Sequence, residues 1–404
     1  MDITKTMLEV WDGRVHSLSD GEKARRLAAV RKLLEESGAS ALVAIEMDKG
    51  GYYQWLTGAC ISERPSEEVI VVPPEGRMIM SLTSRLFSDE EQARYRKLDD
   101  HKSQDFRDDY TDNVPALHYR YVADHLGPGK KAGFVFLDAI RKNMRDYLFG
   151  SIPGLSLVDL TAGMERLKAI KSGEEIAIIE AVAGLHDRLF ATAACAIRSG
   201  RLESEVVREL RARAYQMGSG GEDVTRTVVV DLSSSPEGDK ASVEPLAYPG
   251  RRLAHGDRIN LFVRCIGYDD YYGALGRCFV IGQPSEETRR LWALAVGAQD
   301  AAVGALRPGN RIADAMSAAN AYLVENGIEP DESAFVYGMG YLIGEAPCPG
   351  TPSADMALEA GMTLAVAPRV SARGMDPFRC ADLFLVTPGG ARRLTAFPRK
   401  LVVL

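Results

Sequence analysis

Two adjacent carboxylates, Asp269 and Asp270, sit in the stretch Gly267-Tyr268-Asp269-Asp270-Tyr271-Tyr272-Gly273. Paired acids can grip a cation. Neighbours in a strand point to opposite faces, however, and Gly beside Asp is turn chemistry, so a hairpin tip is the better account. The six histidines, His16, His101, His118, His125, His186 and His255, show no pair at metal-ligand spacing and read mostly as surface residues. The six cysteines, Cys60, Cys195, Cys265, Cys278, Cys348 and Cys380, are scattered without a C-x-x-C pair, which favours free thiols over a disulfide framework. Gly127-Pro128-Gly129-Lys130-Lys131 evokes a phosphate loop but lacks the Walker spacing, and a turn is the simpler reading.

The elements that position such residues divide into two styles. In the first part of the chain a helix opens at Ser19, with Glu22 three residues on as in a capping box, and stops at Gly38. Strands at 41–45, 69–72, 78–82, 132–137 and 155–160 alternate with helices at 116–125 and 139–148, the pattern of an α/β domain. The polar stretch 88–112 reads as surface cover. The second part opens with a long amphipathic helix over 173–197, with Ile178, Val182, Leu185 and Leu189 on one face, then a helix over 203–217. Strands follow at 223–230, 258–266 and 276–281, helices at 285–306 and 311–326, strands at 362–368 and 382–387, and a final run at 400–404. Helix pairs between antiparallel strands argue for an α+β domain.

Composition narrows the class. The chain has 404 residues, a net charge of -7, 46% hydrophobic and 26% charged residues, and no basic block, which argues against a nucleic-acid surface. It has no apolar run of membrane-spanning length and no leader-like start, so the expectation is a cytoplasmic protein with no membrane partner.

Six landmarks then line up in order. They are Arg166-Leu-Lys-Ala-Ile-Lys-Ser-Gly-Glu-Glu-Ile176, Gly256-Asp257 before a hairpin ending in Arg277-Cys-Phe-Val-Ile-Gly282, Leu306-Arg-Pro-Gly309, Gly338-Met-Gly-Tyr-Leu-Ile-Gly344, Gly361-Met362 before Ala367-Pro368, and Asp382-Leu-Phe-Leu-Val-Thr387. Together they resemble the creatinase/aminopeptidase P/prolidase (M24, pita-bread) family. The resemblance implies an α/β N-terminal domain, residues 1–162, and an α+β pita-bread (creatinase/aminopeptidase-like) C-terminal domain, residues 163–404. It also implies a homodimer whose small domain caps the partner's pocket.

Metal-dependent relatives hold two divalent ions through Asp, Asp, His, Glu and Glu. Those positions fall here on Phe262 or Val263, Ala274, Tyr341, Ala367 and Ala381. Aliphatic and phenyl side chains offer no lone pairs and neutral Tyr is a poor ligand, so the expectation is no metal and no cofactor. Some details resemble the metal-free creatinase branch more closely: Tyr271-Tyr272-Gly273-Ala274-Leu275, Phe378-Arg379-Cys380-Ala381-Asp382, and Arg64 after Tyr52-Tyr53, which resembles an arginine that reaches a substrate carboxylate across the dimer. Creatinase's catalytic histidine falls on Pro245 or Leu246, and its guanidinium-holding carboxylates on Gly276 and Cys380.

The polar residues left in the implied pocket supply the candidates. Tyr341, Glu244 and Cys380 are the catalytic candidates: a phenol donor, an acid/base if burial raises its pKa, and a nucleophile if Arg379 lowers its pKa. The plain alternatives are cavity filling, a solvated surface glutamate and a small buried thiol. Arg64, Tyr272, Tyr337, Arg369 and Arg379 are the substrate-binding candidates, because Arg presents a fixed fork to carboxylates. Asp382 is expected to pair with an arginine in the fold. The leading expectation is a metal-independent creatinase-like enzyme acting by C–N hydrolysis, elimination or rearrangement on a small, carboxylate-bearing nitrogen compound. A non-catalytic binding or scaffold protein and a metal-dependent Xaa-Pro peptidase are the alternatives.

Overall fold

A computed structural model describes residues 18–46, 51–57, 68–76, 78–81, 122–123, 126, 129–219, 228–236, 250–371 and 377–404. They fall into two compact units, Leu18–Lys168 and a second one running from Ala169 to Leu404.

In the first unit, helix α1 (Asp20–Ser37) starts where the Ser19 hydroxyl accepts from the Glu22 N–H at 3.1 Å. It ends at Gly38, whose φ of 65° is the left-handed C-cap that glycine adopts without strain. The reciprocal half of the capping box is missing. The Glu22 carboxylate turns instead to the buried guanidinium of Arg26, 2.9 Å away, and to Arg25. Strands β1 (Ala41–Glu46), β2 (Glu68–Val72), β3 (Ile79–Ser81), β4 (Lys131–Phe134) and β5 (Ser156–Asp159) form one sheet in the order β3-β2-β1-β4-β5. β1 runs parallel to β4 and antiparallel to β2. Helices α2 (Tyr52–Thr57), α3 (Lys142–Ser151) and α4 (Thr161–Ala169) complete the described part. Val43, Val71, Phe134, Met144 and Leu148 share its core. The expected helix over 139–148 begins three residues later, because Leu137–Ala139 is taken up by a 3-10 turn. The stretch 88–112 and most of 116–125 lie outside the described residues.

The second unit opens with α5 (Gly173–Ala196), capped by a true reciprocal box: Ser172 Oγ accepts from the Glu175 N–H, and Glu175 accepts from the Ser172 N–H at 2.9 Å. Helix α6 (Glu203–Gln216) follows. Strands β6 (Val228–Pro236), β7 (Asp257–Ile266) and β8 (Tyr272–Val280) pair antiparallel in order, and β16 (Val402–Val403) joins β8 in parallel. β8 starts four residues earlier than expected. Asp269 and Asp270 form the hairpin tip, at φ 48° and 65°, and the strand resumes directly after it. Helices α7 (Glu286–Ala305) and α8 (Ile312–Glu325) pair next. A second sheet then has the order β10-β9-β11-β14-β15, from β9 (Val336–Met339), β10 (Ile343–Glu345), β11 (Thr363–Val366), β14 (Asp382–Thr387) and β15 (Gly390–Arg393). The short pair β12 (Arg369–Val370) and β13 (Phe378–Arg379) lies between β11 and β14 in the chain.

Each sheet has its own helical cover. Leu185, Leu189 and Phe190 of α5 pack with Leu261, Val263 and Cys265 of β7. Leu291, Ala295 and Ala298 of α7 pack with Val336, Leu364, Val366 and Phe384 of the second sheet. Burying these faces supplies the main stabilisation, roughly 25 cal/mol per Å² of apolar surface. The sheets are joined by a backbone bridge, where Gly276 N–H donates to Ala381 O at 3.0 Å and Ala381 N–H returns to Gly276 O at 3.2 Å, and by Arg277 of β8, which donates to Asp382 of β14.

Candidate functional site

The alternation of β7 separates structure from chemistry. Ile259, Leu261, Val263 and Cys265 face the helices. Asn260, Phe262 and Arg264 must therefore face the other way, since successive strand side chains alternate. Asp231 of β6 pairs across from Phe262 and reaches Arg264, its Oδ2 accepting from Nη2 at 2.8 Å. In the second sheet Val336 and Val366 face helix α7, which leaves Tyr337 on the opposite side of β9.

The first sheet of this unit and the β12–β13 pair meet at Phe262. The Arg264 guanidinium lies over its ring at 5.1 Å and the Arg379 guanidinium at 4.6 Å. Arg379 stands directly across from Arg369 in the β12–β13 ladder. Arg369 is held by Asp331, whose carboxylate accepts from the Arg369 backbone N–H at 2.8 Å and from Nη2 at 3.3 Å. Arg379 makes no hydrogen bond or ion pair among the described residues, although it is largely buried. Burial, and then the like charges of Arg369 and Arg264, hold it below the usual guanidinium range. Burial pushes the Tyr337 phenol up, against the opposing pull of Arg264 and Arg379. Asp231 Oδ1, Asn260 Oδ1 and Arg264 Nε are buried without a partner among the described residues.

The positions that the resemblance assigns to metal ligands are packed shut. Phe262, Ala274, Tyr341, Ala367 and Ala381 are all buried. A Cβ added to Gly276 would come within 2.9 Å of Ala381 Cβ and 3.1 Å of the Phe262 ring. Tyr341 packs on Tyr271 with ring centroids 4.3 Å apart, and the Tyr271 hydroxyl donates to Glu175 at 2.7 Å. Among the described residues no three His, Cys, Asp or Glu side chains converge as a metal site would require. These residues do not fit a pair of divalent ions.

The other candidates divide. Arg379 lies over Phe262, Arg369 stands across the ladder from it, and Tyr337 is near enough to Arg264 and Arg379 to feel their charge. Tyr272 is tied by its backbone N–H to Gly340 O at 2.7 Å, and Tyr341 is 3% exposed and fills space against Tyr271. Cys380 is not suited to nucleophilic attack. Its thiol is fully buried beside Gln299 Oε1 at 3.4 Å, and burial pushes it up to about 12. The cations near it are Arg277 and Arg399, and Arg379 lies over Phe262 instead. Asp382 pairs with an arginine as expected: Arg277 Nη2 donates to Oδ1 at 2.7 Å in a wholly buried contact. Glu244 and Arg64 lie outside the described residues. Arg264 and Asp231 were not singled out from the sequence. Period-two reading of β7 from Phe262 would have found Arg264.

A model of metallopeptidase family M24 matches residues 177–388. The chain belongs to metallopeptidase family M24. It is 26% identical over 254 residues to the uncharacterized peptidase YqhT of Bacillus subtilis, covering 63% of this chain and 69% of that one. It is 26% identical over 239 residues to the Xaa-Pro dipeptidase of Pyrococcus furiosus, covering 58% and 66%. The alignments thus span about two thirds of those relatives' own length. The fold resembles dipeptidase PepE from Mycobacterium ulcerans, with a TM-score of 0.73 at 23% identity over 96% of this chain and 99% of that one. It also resembles the prolidase from Pyrococcus horikoshii, with a TM-score of 0.74 at 18% identity over 94% and 100%.

The M24 assignment and the α/β plus pita-bread architecture expected from the six landmarks hold. The expected chemistry does not. These relatives are named as peptidases and dipeptidases, which overturns the creatinase-like, metal-independent C–N reaction inferred from the Tyr271-Tyr272 and Phe378-to-Asp382 segments. Within those segments Tyr271, Ala274, Leu275, Phe378, Cys380 and Ala381 are buried. No helix among the described residues is long and apolar enough to cross a membrane.

Proposed function

We propose that the protein recognises short peptides between the two sheets of its second unit, the substrate class of its peptidase relatives. One observation carries this reading: the face shared by β6 and β7 offers buried acceptors, Asp231 Oδ1 and Asn260 Oδ1, and a buried donor, Arg264 Nε, all without a partner among the described residues. A peptide presents both N–H donors and carbonyl or carboxylate acceptors, so it satisfies both kinds at once, whereas leaving each one unmade costs about 1–3 kcal/mol. A homodimer belongs to the same proposal.

A second reading is a metal-dependent Xaa-Pro dipeptidase, favoured by the name of the Pyrococcus furiosus relative. The described residues offer no cluster for the ions, and no step is assigned to them. The test is calorimetry and turnover on one panel of Xaa-Pro dipeptides and tripeptides, with and without added Mn²⁺. Peptide binding in the absence of metal, weakened when Asp231 is changed to Asn, supports recognition. Turnover that depends on Mn²⁺ supports the dipeptidase. Neither binding nor turnover across the panel overturns both.

A further inference from the structure

We infer that the Asp231–Arg264 pair is a receptor for a primary carboxamide, so that the peptides recognised are those carrying an Asn or Gln side chain. This deepens the peptide reading and rests on it.

A guanidinium presents Nε–H and one Nη2–H along the same edge, and a carboxylate that meets this edge squarely takes both as a pair of parallel bonds. That two-rung contact forms elsewhere in this chain. Arg25 donates from Nε and Nη2 to the two oxygens of Glu22 at 2.8 and 2.7 Å, and Arg290 does the same to Glu287 at 2.8 Å from each nitrogen. Arg264 and Asp231 close one rung only. Nη2 donates to Oδ2 at 2.8 Å, while Nε and Oδ1, the atoms of the second rung, are both buried and have no partner among the described residues. Strand register accounts for the half-made contact. Asp231 stands across from Phe262 and Arg264 across from Val229, so the two side chains meet on the diagonal instead of head-on. The Phe262 ring, its centroid 5.1 Å from Arg264 Cζ, steadies the cation and offers Nε no oxygen.

An open rung is closed by a group with an N–H and a C=O side by side. A trans peptide unit points these to opposite sides, so it reaches Nε or Oδ1 and not both. A carboxylate brings no donor and meets the Asp231 charge, and an ammonium brings no acceptor. A primary carboxamide carries both on one edge: its carbonyl accepts from Nε–H and its syn N–H donates to Oδ1. The second N–H of the same nitrogen has a further buried acceptor nearby, Asn260 Oδ1, also without a partner among the described residues and on the same face of β7 as Arg264. Asn260 is diagonal to Asp231 across the ladder, with Cα atoms about 7–8 Å apart, close enough for one amide nitrogen to lie between their side chains. The pair is not sealed off, since the Arg264 and Asp231 side chains keep 28% and 18% of their surface exposed.

The probes are dipeptides with Gln, Met or Glu at one position and Ala at the other, titrated by calorimetry into the full chain with no metal added, alongside propionamide. Met approximates the length of Gln without the amide, and Glu replaces the amide by a carboxylate. In one of the two series, Gln-Ala against Met-Ala and Glu-Ala or Ala-Gln against Ala-Met and Ala-Glu, the Gln peptide should bind tighter than both by about tenfold or more, because only the amide closes the buried rung. Arg264→Lys keeps the charge and loses the Nε–H, so the Gln-to-Met ratio of that series should fall to about one. A Gln preference below about tenfold in both series, or one that survives Arg264→Lys, overturns the inference. If Arg264→Lys does not melt cooperatively, the ratio measured on the parent chain decides the matter alone. Dipeptides that bind without regard to the amide sink the carboxamide receptor and spare the peptide reading. Propionamide binding with no dipeptide bound does the reverse, and binding of neither overturns both.

Discussion

At the scale of single residues, the second unit buries His186, Cys265 and Cys380 in their neutral forms. His186 donates from Nδ1 to Val182 O at 2.9 Å and approaches Cys265 Sγ at 3.3 Å through Nε2. Burial pushes the imidazole down from 6.5 to about 4 and the Cys265 thiol up to about 12, so this pair is a neutral hydrogen bond and not a thiolate–imidazolium dyad. The folded His186 refuses a proton that the unfolded chain accepts below pH 6.5. Stability is therefore intact above that pH and falls as the pH drops toward 4, by about 3 kcal/mol in total. Urea midpoints at pH 7.5 and 4.5 check this: the acid loss should be smaller by about 2–3 kcal/mol in His186→Gln than in the parent. Cys380 should likewise resist a thiol reagent in the native protein and react only on denaturation, because its thiol is wholly buried and held protonated.

At the scale of elements, caps and strand ladders decide what holds. Ser172 and Glu175 satisfy two free N–H groups at the start of α5, so Ser172→Ala should lower stability by about 1 kcal/mol in chemical denaturation. Asp382 begins β14 and accepts from Arg277, Gln299 and Thr395, all buried. Asp382→Asn leaves the Arg277 charge uncompensated and should cost about 3–5 kcal/mol, read as a shift in the denaturation midpoint. These elements were legible in the sequence because their signals are local. Ser172 and Glu175 stand three apart, Ser285 precedes its helix, and the Gly–Asp hairpin at Asp269 and Asp270 announces a turn. The Asp382–Arg277 pair could also be expected, because both residues fall inside landmark segments. The cluster at Phe262 was less legible. Its members come from β6, β7, β9, β12 and β13, and nothing near Arg264 in the chain points to Arg379 more than a hundred residues away. Arg369 and Arg379 were found through the family resemblance and Arg264 was not, because a cross-strand partner is fixed by register and not by spacing. Cys380 misled for the same reason. Its neighbour in sequence is Arg379, yet adjacent strand residues point apart, and the cations that reach it are Arg277 and Arg399.

At the scale of the whole molecule, each unit carries its own apolar core, one built around Val43, Phe134 and Leu148, the others around the two sheets of the second unit. Residues 169–404 should therefore fold without the first unit, and the expected outcome is a cooperative thermal melt of that fragment with retained near-ultraviolet circular dichroism. The family frame was readable from landmarks, while the reaction was not, since a frame places strands and says nothing of what their side chains carry.

The contact between Gly276 and Ala381 has a broader consequence. Two main chains touch there, so peptide geometry, together with the Arg277–Asp382 pair beside it, sets the gap separating the sheets. Side chains beyond that pair can then be exchanged, acids for arginines or ligands for rings, without moving the walls. A lineage built on such a seam can discard one chemistry and adopt another while its outline stays the same.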